Sequence, residues 1–325
     1  MFGNQGARTG IDIGSTSVKL VCGKGRQRLE RITHVGIEPY HAASPAARVD
    51  EAAAALKTLM SRLGLSKRKL GRLAVTVGWQ ESMVQETTTP PLDEGELASA
   101  LPYETRKYLN LDDVADPVLA GQLLGIVGQV GTGGVMQSRV LLAAVPREAR
   151  DFPLQVLARL GLEPRIVDLE PLAGLNELFA RLDAAEERGD VVGLIDLGGR
   201  HAAVHMVARD GGLLSRNLGP GSSRGDDAAA QCLYTRRLAD KVQQTLTYYR
   251  GRFRREVDSL YVIGGGAYVT GRLDHLSESV GCRVTMLDPL AHEAKEARGA
   301  SELAAHGAEL ATACGLCRWG DGEHV

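Results

Sequence analysis

The sequence has little net charge, no long apolar run and few cysteines, and each lack excludes a class of protein. Its 325 residues include 38 Lys and Arg against 40 Asp and Glu, a formal net charge of −2. No global electrostatic attraction to nucleic acid or to an anionic membrane is therefore expected. No apolar run approaches the roughly 20 residues of a membrane-spanning helix. The first ten residues lack an apolar signal core, so we expect a cytoplasmic protein.

The cysteines are odd in number and scattered, which favours reduced cytoplasmic thiols over a disulfide framework. They are Cys22, Cys232, Cys282, Cys314 and Cys317. The last two form a CxxC without a second pair, inside the helical pattern AELATACGLCRW. Both would lie on one helix face, so we expect them to pack in the protein interior rather than bind a metal.

The most informative stretch is Ile11–Leu20, IDIGSTSVKL. An apolar strand ends at Asp12, a turn of small residues follows at 14–16, and the return strand carries Lys19. The backbone N–H groups of such a turn can surround a phosphate, and a hydroxyl or a lysine can add charge-assisted hydrogen bonds. The alternative is a structural hairpin in which Asp12 only caps the turn.

A partial repeat of this pattern begins at Val191 with VVGLIDLGGRHAAVHMV. Apolar residues again lead to an aspartate, Asp196, and then to a turn at 198–199. The two aspartates are separated by about one domain's length. A third glycine cluster follows the apolar run in Leu260–Gly266, LYVIGGG, where a ligand could approach the backbone closely. The repeat predicts two related domains facing a shared cleft.

These three motifs, in this order and spacing, resemble the two phosphate motifs and the adenosine motif of the actin, Hsp70 and sugar-kinase ATPase superfamily. Within it, the chain resembles the PilM family of type IV pilus assembly proteins, which are relatives of the cell-division protein FtsA. The resemblance runs from Thr9 to Trp319. Its further blocks are LPYETRKYL (Leu101–Leu109), VLLAAVPREARD (Val140–Asp151), LGLEPRIVDLEPLAGLNEL (Leu160–Leu178) and LTYYRGRFRREVDSLYVIGGGAYVTGRLDHL (Leu246–Leu276).

The resemblance implies an α/β protein with the actin/Hsp70-type ATPase fold. Two related α/β domains would carry a 1C-type subdomain insertion, which sugar kinases and actin lack at this place. The expected division is a first domain at 1–92 and 164–185, the inserted subdomain at 93–163, a second domain at 186–300, and a closing helix at 301–325 that packs back on the first domain.

Local patterns add three expectations. The inserted subdomain should contain two strands around a glycine-rich tip at 131–134. Ser82–Pro91 is polar and ends in two prolines, which predicts a turn out of the sheet. Glu302–Trp319 should form the closing helix.

The resemblance also implies a cleft that binds ATP and Mg²⁺. The expected phosphate-binding residues are Gly14, Ser15, Thr16, Lys19, Gly198, Gly199 and Arg200. Adenosine would lie against Gly264, Gly265 and Gly266, and Mg²⁺ would be held, through water, by Asp12 and Asp196. Relatives usually have a threonine or serine shortly after the second turn, where this chain has Arg200, His201, Ala202 and Ala203. Arg200 either replaces that hydroxyl at the phosphates or is solvated.

By resemblance, Glu170 is the candidate catalytic residue that orients an attacking water. The alternative is a carboxylate that interacts with the helix dipole. Few charges can be assigned to phosphoryl transfer, so we expect at most a slow Mg-dependent ATPase. His201 and His205 are four residues apart in a strand-like run, and without nearby acids or thiols they are not expected to bind zinc.

The resemblance implies an actin-like ATP-binding scaffold of a type IV pilus inner-membrane assembly platform. Its expected partner is the N-terminal cytoplasmic peptide of a PilN-like inner-membrane protein, which would lie in a groove near the helix at 101–109. Self-association is possible, and contact with the membrane would be indirect, through the partner. The alternatives are a pseudo-ATPase adaptor without nucleotide, a small-molecule kinase of the same superfamily and an FtsA-like filament former. The stretch CRWGDGEHV predicts no amphipathic membrane helix, which disfavours the last.

Overall fold

The computed structural model describes residues 6–26, 28–78, 82–111, 114, 116–128, 136–185, 189–221, 227–292 and 295–319. The predicted glycine tip at 131–134 lies outside these residues. The strands are β1 (Ala7–Ile13), β2 (Ser17–Lys24), β3 (Arg31–Pro39), β4 (Arg72–Val77), β5 (Met83–Thr89), β6 (Pro117–Gly128), β7 (Met136–Pro146), β8 (Ile166–Leu169), β9 (Val191–Leu197), β10 (His201–Ala208), β11 (Gly211–Pro220), β12 (Ser259–Ile263) and β13 (Arg283–Met286).

The helices alternate with these strands. They are α1 (Arg48–Arg62), α2 (Lys67–Leu70), α3 (Glu94–Tyr108), α4 (Arg147–Arg159), α5 (Glu170–Ala184), α6 (Ala228–Phe253), α7 (Arg272–Val280), α8 (Pro289–His292) and α9 (Ala311–Arg318). None of the helices in the described part of the chain combines the length and apolarity needed to cross a bilayer.

The first sheet has the strand order β3-β2-β1-β4-β8. An antiparallel hairpin, β1–β2, is extended by the parallel strands β4 and β8. Every residue of β1 is buried, as expected for a strand covered on both faces. One face packs on α1 and α4 through a core that includes Ile11, Leu56 and Leu157. The strand β1 is therefore rigidly held, and its end presents Asp12 and the following turn.

The second sheet has the order β11-β10-β9-β12-β13 and repeats this design. The hairpin β9–β10 is antiparallel, and β12 and β13 extend it in parallel. Helices α6 and α7 cover one face. On the other face, α5 packs through Leu175, Leu178 and Leu182. The end of β9 presents Asp196 in the way that β1 presents Asp12.

The third sheet, with order β5-β7-β6, is smaller and carries α3. Asp93 and Glu96 form a capping box at the start of this helix, which satisfies two backbone donors. The core between helix and sheet includes Leu97, Val140 and Leu142. The predicted turn at Ser82–Pro91 is wrong, because this stretch is mostly β5. Pairing with β7 overrides its polar composition, and the two prolines lie just beyond the strand.

The final helix, α9, packs on the first sheet and on α5. The backbone at Gly10 and Gly315 makes this packing possible: a Cβ at Gly10 would lie 2.1 Å from the carbonyl oxygen of Ala313, and one at Gly315 would lie 1.7 Å from that of Ala173. Cys314 and Cys317 are buried here and form no disulfide, so the predicted packing of both in the protein interior is confirmed. The single helix predicted at Glu302–Trp319 is wrong, because 3₁₀ turns at 300–303 and 307–310 precede α9. The predicted domain boundaries stay a prediction.

Gly315→Ala is expected to lower the free energy of unfolding by about 1–3 kcal/mol, because a methyl group would be forced into the α5 backbone. Urea denaturation measures this difference. The matched control is Gly251→Ala in α6, where a Cβ meets nothing within 4 Å. That variant should gain up to about 1 kcal/mol from helix propensity. Equal stabilities for the two variants would contradict the close packing of α9.

Candidate functional site

A cleft of about 520 Å³ lies where the turns of the first and second sheets meet. Its volume is within the roughly 300–1,000 Å³ typical of small-molecule sites. Most of the residues predicted to form a binding site line it. They are Asp12, Gly14, Ser15, Thr16, Lys19, Glu170, Asp196, Gly198, Gly199, Gly264 and Gly265. The structure therefore brings together residues of the three sequence motifs and the start of α5.

Two predicted residues do not line the cleft. Arg200 is exposed, which agrees with the solvated alternative for this side chain. Gly266 is buried, and a Cβ there would lie 2.7 Å from the Cβ of Leu197. The absence of a side chain at Gly266 therefore serves packing between the glycine turn and β9.

The first turn is held by Tyr40, a residue that the sequence analysis did not identify. The Tyr40 hydroxyl donates to the Gly14 carbonyl at 2.6 Å, and its backbone N–H donates to the Thr16 carbonyl at 2.9 Å. The Gly14 N–H donates to the Ser17 carbonyl at 3.0 Å. These bonds give the turn one conformation, and no local sequence signal connects Tyr40 with it.

Asp12 is already partnered inside the protein. Its Oδ2 lies 3.1 Å from Nζ of Lys19, directly opposite it in the β1–β2 register. Its Oδ1 accepts a hydrogen bond from the Thr76 hydroxyl at 3.0 Å. Burial lowers the pKa of Lys19, but the charge and hydrogen bond of Asp12 outweigh it and raise that pKa above its ordinary value. Lys19 is therefore a fixed positive charge beside the first turn.

The second turn approaches the first closely. A Cβ at Gly199 would lie 3.4 Å from Oγ1 of Thr16 and 3.5 Å from Oγ of Ser15. These are van der Waals distances, so the two turns form opposite walls of one narrow space. A ligand that fits between them would contact backbone groups from both sheets.

The third motif supplies a backbone shelf at the end of β12. Gly264 has φ +85°, and a Cβ there would lie 2.6 Å from the Leu197 carbonyl oxygen, so only glycine fits. The following turn is anchored by the buried Arg272, whose Nη1 donates to the Gly266 carbonyl at 2.8 Å and whose Nε donates to the Thr235 hydroxyl at 3.1 Å. Arg272 was missed by sequence analysis, because its partners come from other elements.

Glu170, Asp196 and His201 meet on one wall of the cleft, and one ligand atom of each lies within 4.8 Å of the others. Nε2 of His201 is 3.3 Å from Oε2 of Glu170, close enough for an ion pair but not aligned as a hydrogen bond. The sequence analysis dismissed His201 for lack of nearby acids, and that reason is wrong. The acids come from α5 and β9, which only folding brings to β10.

The proximity of these three side chains shifts the pKa values of Asp196 and His201. Burial raises the pKa of Asp196, and the negative charge of Glu170 raises it further. The His201 charge lowers it, and the resulting pKa is about 7. Burial lowers the pKa of His201, but contact with Glu170 and the charges of Asp196 and Asp12 raise it to about 9. At neutral pH, His201 is therefore a cation paired with Glu170.

The donor set fits the ligand implied by the fold. The cleft contains the carboxylates Asp12, Glu170, Asp196 and Glu309, which favour a polyphosphate that enters together with a cation. Carboxylate oxygens are the ligands that Mg²⁺ prefers. Asp196 would hold such an ion, Lys19 and the 14–16 turn would contact phosphate, and the Gly264 shelf would lie against a flat ring.

Comparison with known proteins shows the fold. No family model and no curated protein matches the chain. Among solved structures, the chain is similar to the PilM-PilN type IV pilus biogenesis complex, with 22% identity over 97% of this chain and 98% of that chain and a TM-score of 0.73. The chain therefore has an actin-like ATPase fold of the PilM type, and the predicted fold class is confirmed.

Two further solved structures are similar at lower scores. The ethanolamine utilization protein EutJ from Carboxydothermus hydrogenoformans is 14% identical, covers 96% of this chain and 89% of its own, and has a TM-score of 0.49. A Bacteroides thetaiotaomicron protein of unknown function with an actin-like ATPase fold is 11% identical, covers 87% and 91%, and has a TM-score of 0.48.

The raised pKa of Asp196 predicts how the stability of the metal-free protein varies with pH. The folded state binds the proton more tightly than the unfolded state, so the free energy of unfolding falls as pH rises from about 4 to about 7. The Asp196→Asn variant should lack this contribution. Between pH 4 and pH 8 its free energy of unfolding should therefore fall by about 2–4 kcal/mol less than that of the wild type.

Urea titrations in the presence of a chelator at pH 4, 6 and 8 measure the effect. Asp240→Asn, on the exposed side of α6, is the matched control and should follow the wild-type pH dependence. If Asp196→Asn also followed it, the carboxylate would not be titrating in this range.

Proposed function

We propose that this protein is an actin-like ATP-binding scaffold of a type IV pilus inner-membrane assembly platform and binds the N-terminal cytoplasmic peptide of a PilN-like protein. Similarity to the PilM-PilN complex across 97% of the chain, including the third sheet, carries this proposal. In this role the protein is cytoplasmic and meets the inner membrane through its partner.

The cleft supports the nucleotide part of the proposal. The cleft is lined by the opposed turns and Lys19, which suit the phosphates of a nucleotide, and by Gly264, which suits its flat ring. In this arrangement Ser15, Thr16, Gly198 and Gly199 donate backbone N–H groups to the phosphates. The Gly14 N–H is used inside the turn by the Ser17 carbonyl, and its lack of a side chain lets a phosphate approach. Asp196 holds Mg²⁺, and Lys19 neutralises Asp12 and faces the phosphates.

The third sheet supports the partner part. In the order β5-β7-β6, β6 pairs with β7 on one side only within the described residues, so its other edge can accept an added strand. The same sheet and its helix expose large apolar side chains: Tyr103 is 78% exposed, Ile126 63% and Met136 50%. An extended peptide on this edge would gain main-chain hydrogen bonds and apolar contacts together.

A nucleotide-free adaptor is the second candidate function. The observation that favours it is the sequence Arg200–Ala203, which lacks the hydroxyl usual after the second turn, together with the exposure of Arg200 outside the cleft. Such an adaptor would bind the peptide but not ATP, so a nucleotide-binding measurement distinguishes the two candidate functions.

Mg-ATP is expected to stabilise the wild-type protein by about 2.7 kcal/mol at a hundredfold excess over the dissociation constant, because only the folded state binds it. Thermal denaturation with and without Mg-ATP measures this. Gly14→Val and Gly199→Val should abolish the shift by filling the space between the turns. The new Cβ of Gly199→Val lies at van der Waals distance from Thr16, so this variant should fold. The new Cβ of Gly14→Val would lie 2.6 Å from Nζ of Lys19, so the end of that side chain must shift.

The control is Gly251→Ala, which lies outside the cleft and should retain the full shift. A full shift in both valine variants would show that nucleotide binds elsewhere. No shift in the wild-type protein would favour the nucleotide-free adaptor.

Tyr103→Ala is expected to weaken binding of a peptide carrying the first residues of the PilN-like protein about tenfold, since exposed aromatic anchors at interfaces commonly contribute more than 1 kcal/mol. Isothermal titration calorimetry measures the affinity. Leu233→Ala, a half-exposed apolar residue on α6, is the control and should bind as the wild type does. Absence of wild-type binding at high micromolar peptide would refute the partner assignment.

A further inference from the structure

The wall formed by Glu170, Asp196 and His201 has the geometry of a metal site. The three side chains come from α5, β9 and β10, and their ligand atoms lie within 4.8 Å of one another. The 3.3 Å between Oε2 of Glu170 and Nε2 of His201 equals the ligand spacing expected around a tetrahedral ion with bonds of about 2.0–2.1 Å. Small side-chain rotations would bring Asp196 to the same ion.

One of these side chains, His201, holds a buried nitrogen without a hydrogen bond, and Asp196 lies beside it. Asp196 is 6% exposed and lines the cleft, and no residue in the described ranges donates a hydrogen bond to its carboxylate. Nε2 of His201 is also buried and makes no aligned hydrogen bond. Buried polar atoms in folded proteins are nearly always paired, so the His201 nitrogen points to a ligand in the cleft that the neighbouring Asp196 carboxylate would also reach.

The charge of the wall favours a cation as that ligand. Glu170 and Asp196 place two carboxylates together in a buried position, and Asp12 and Glu309 lie in the same cleft. Lys19 is 3.1 Å from Asp12 and is directed to that carboxylate. A divalent ion would offset the repulsion between these carboxylates that His201 and Lys19 offset only in part.

The mixture of donors selects the kind of ion. Mg²⁺ takes oxygen ligands and keeps its waters, whereas an imidazole nitrogen beside carboxylates suits Zn²⁺ and its spectroscopic substitute Co²⁺. We propose that Glu170, Asp196 and His201 bind a divalent transition-metal ion directly, with Zn²⁺ as the favoured ion and an open coordination position toward the cleft. This site shares Asp196 with the proposed Mg²⁺ site but needs no nucleotide.

The experiment titrates the chelator-treated full chain, without nucleotide, with Zn²⁺ by calorimetry and with Co²⁺ by visible absorption. The wild type should bind one ion, and the Co²⁺ spectrum should show nitrogen and oxygen coordination without a thiolate charge-transfer band. His201→Gln and Asp196→Asn should each weaken binding more than tenfold, since even residues that only support metal ligands contribute about 10–100-fold. Asp196→Asn replaces a buried charge with an isosteric amide and should fold.

His34→Gln, in β3 and outside the cleft, is the matched control and should bind as the wild type does. Wild-type affinity in His201→Gln or Asp196→Asn, a thiolate band that points to cysteine ligands such as Cys232, or no saturable binding by the wild type would each overturn the proposal. If the wild type shows no saturable binding, Glu170 and His201 form only an ion pair.

The Mg-ATP thermal shift on the same zinc-free protein keeps the two proposals distinguishable. A shift without Zn²⁺ binding would reject the metal site and leave the proposed function intact. Zn²⁺ binding without a shift would reject nucleotide binding and leave the metal site.

Discussion

Buried negative charge between the first and second sheets is the constraint on which the cleft depends. Asp12 and Asp196 stand at the ends of central strands whose residues are all buried, so neither carboxylate can move into solvent. The negative charge of Asp12 is paired with Lys19, and its carboxylate also accepts a hydrogen bond from Thr76. The negative charge of Glu170 is paired with His201. Burial and the nearby Glu170 charge raise the pKa of Asp196 to about 7, and its carboxylate faces what enters the cleft.

The duplicated design of the two sheets places these charges. In each sheet an antiparallel hairpin is extended by two parallel strands, and the aspartate is followed by the hairpin turn. Helix α5 starts with Glu170 at the cleft and packs on the second sheet, while α9 fits against β1 and α5 over Gly10 and Gly315. The two sheets are thereby packed around shared helices, which fixes the width of the cleft between their turns.

The third sheet is physically connected to the second. Oε2 of Glu86 in β5 accepts hydrogen bonds from the backbone N–H groups of Gly212 and Leu213 at 2.8 and 3.1 Å, and Arg139 in β7 lies 3.0 Å from the same carboxylate. These contacts hold the third sheet against β11 at the edge of the second sheet.

The sequence by itself determined the parts that depend on local chemistry. The strand–Asp–turn motifs at 11–20 and 191–199 and the glycines at 264–266 were recognisable because each consists of neighbouring residues with definite conformational preferences. The resemblance carried by these motifs was sufficient to predict the fold and most residues that line the cleft.

Only the tertiary structure decided which side chains meet across the chain. Tyr40 on the first turn, Arg272 behind the glycine turn and His201 beside Glu170 and Asp196 have partners on other elements, so no local pattern could identify them. The strand β5 and the late start of α9 were mispredicted because pairing with β7 and packing at 300–310 outweigh local propensity. Contact between distant residues is a property of packing, and in this protein that packing sets the charge of the cleft.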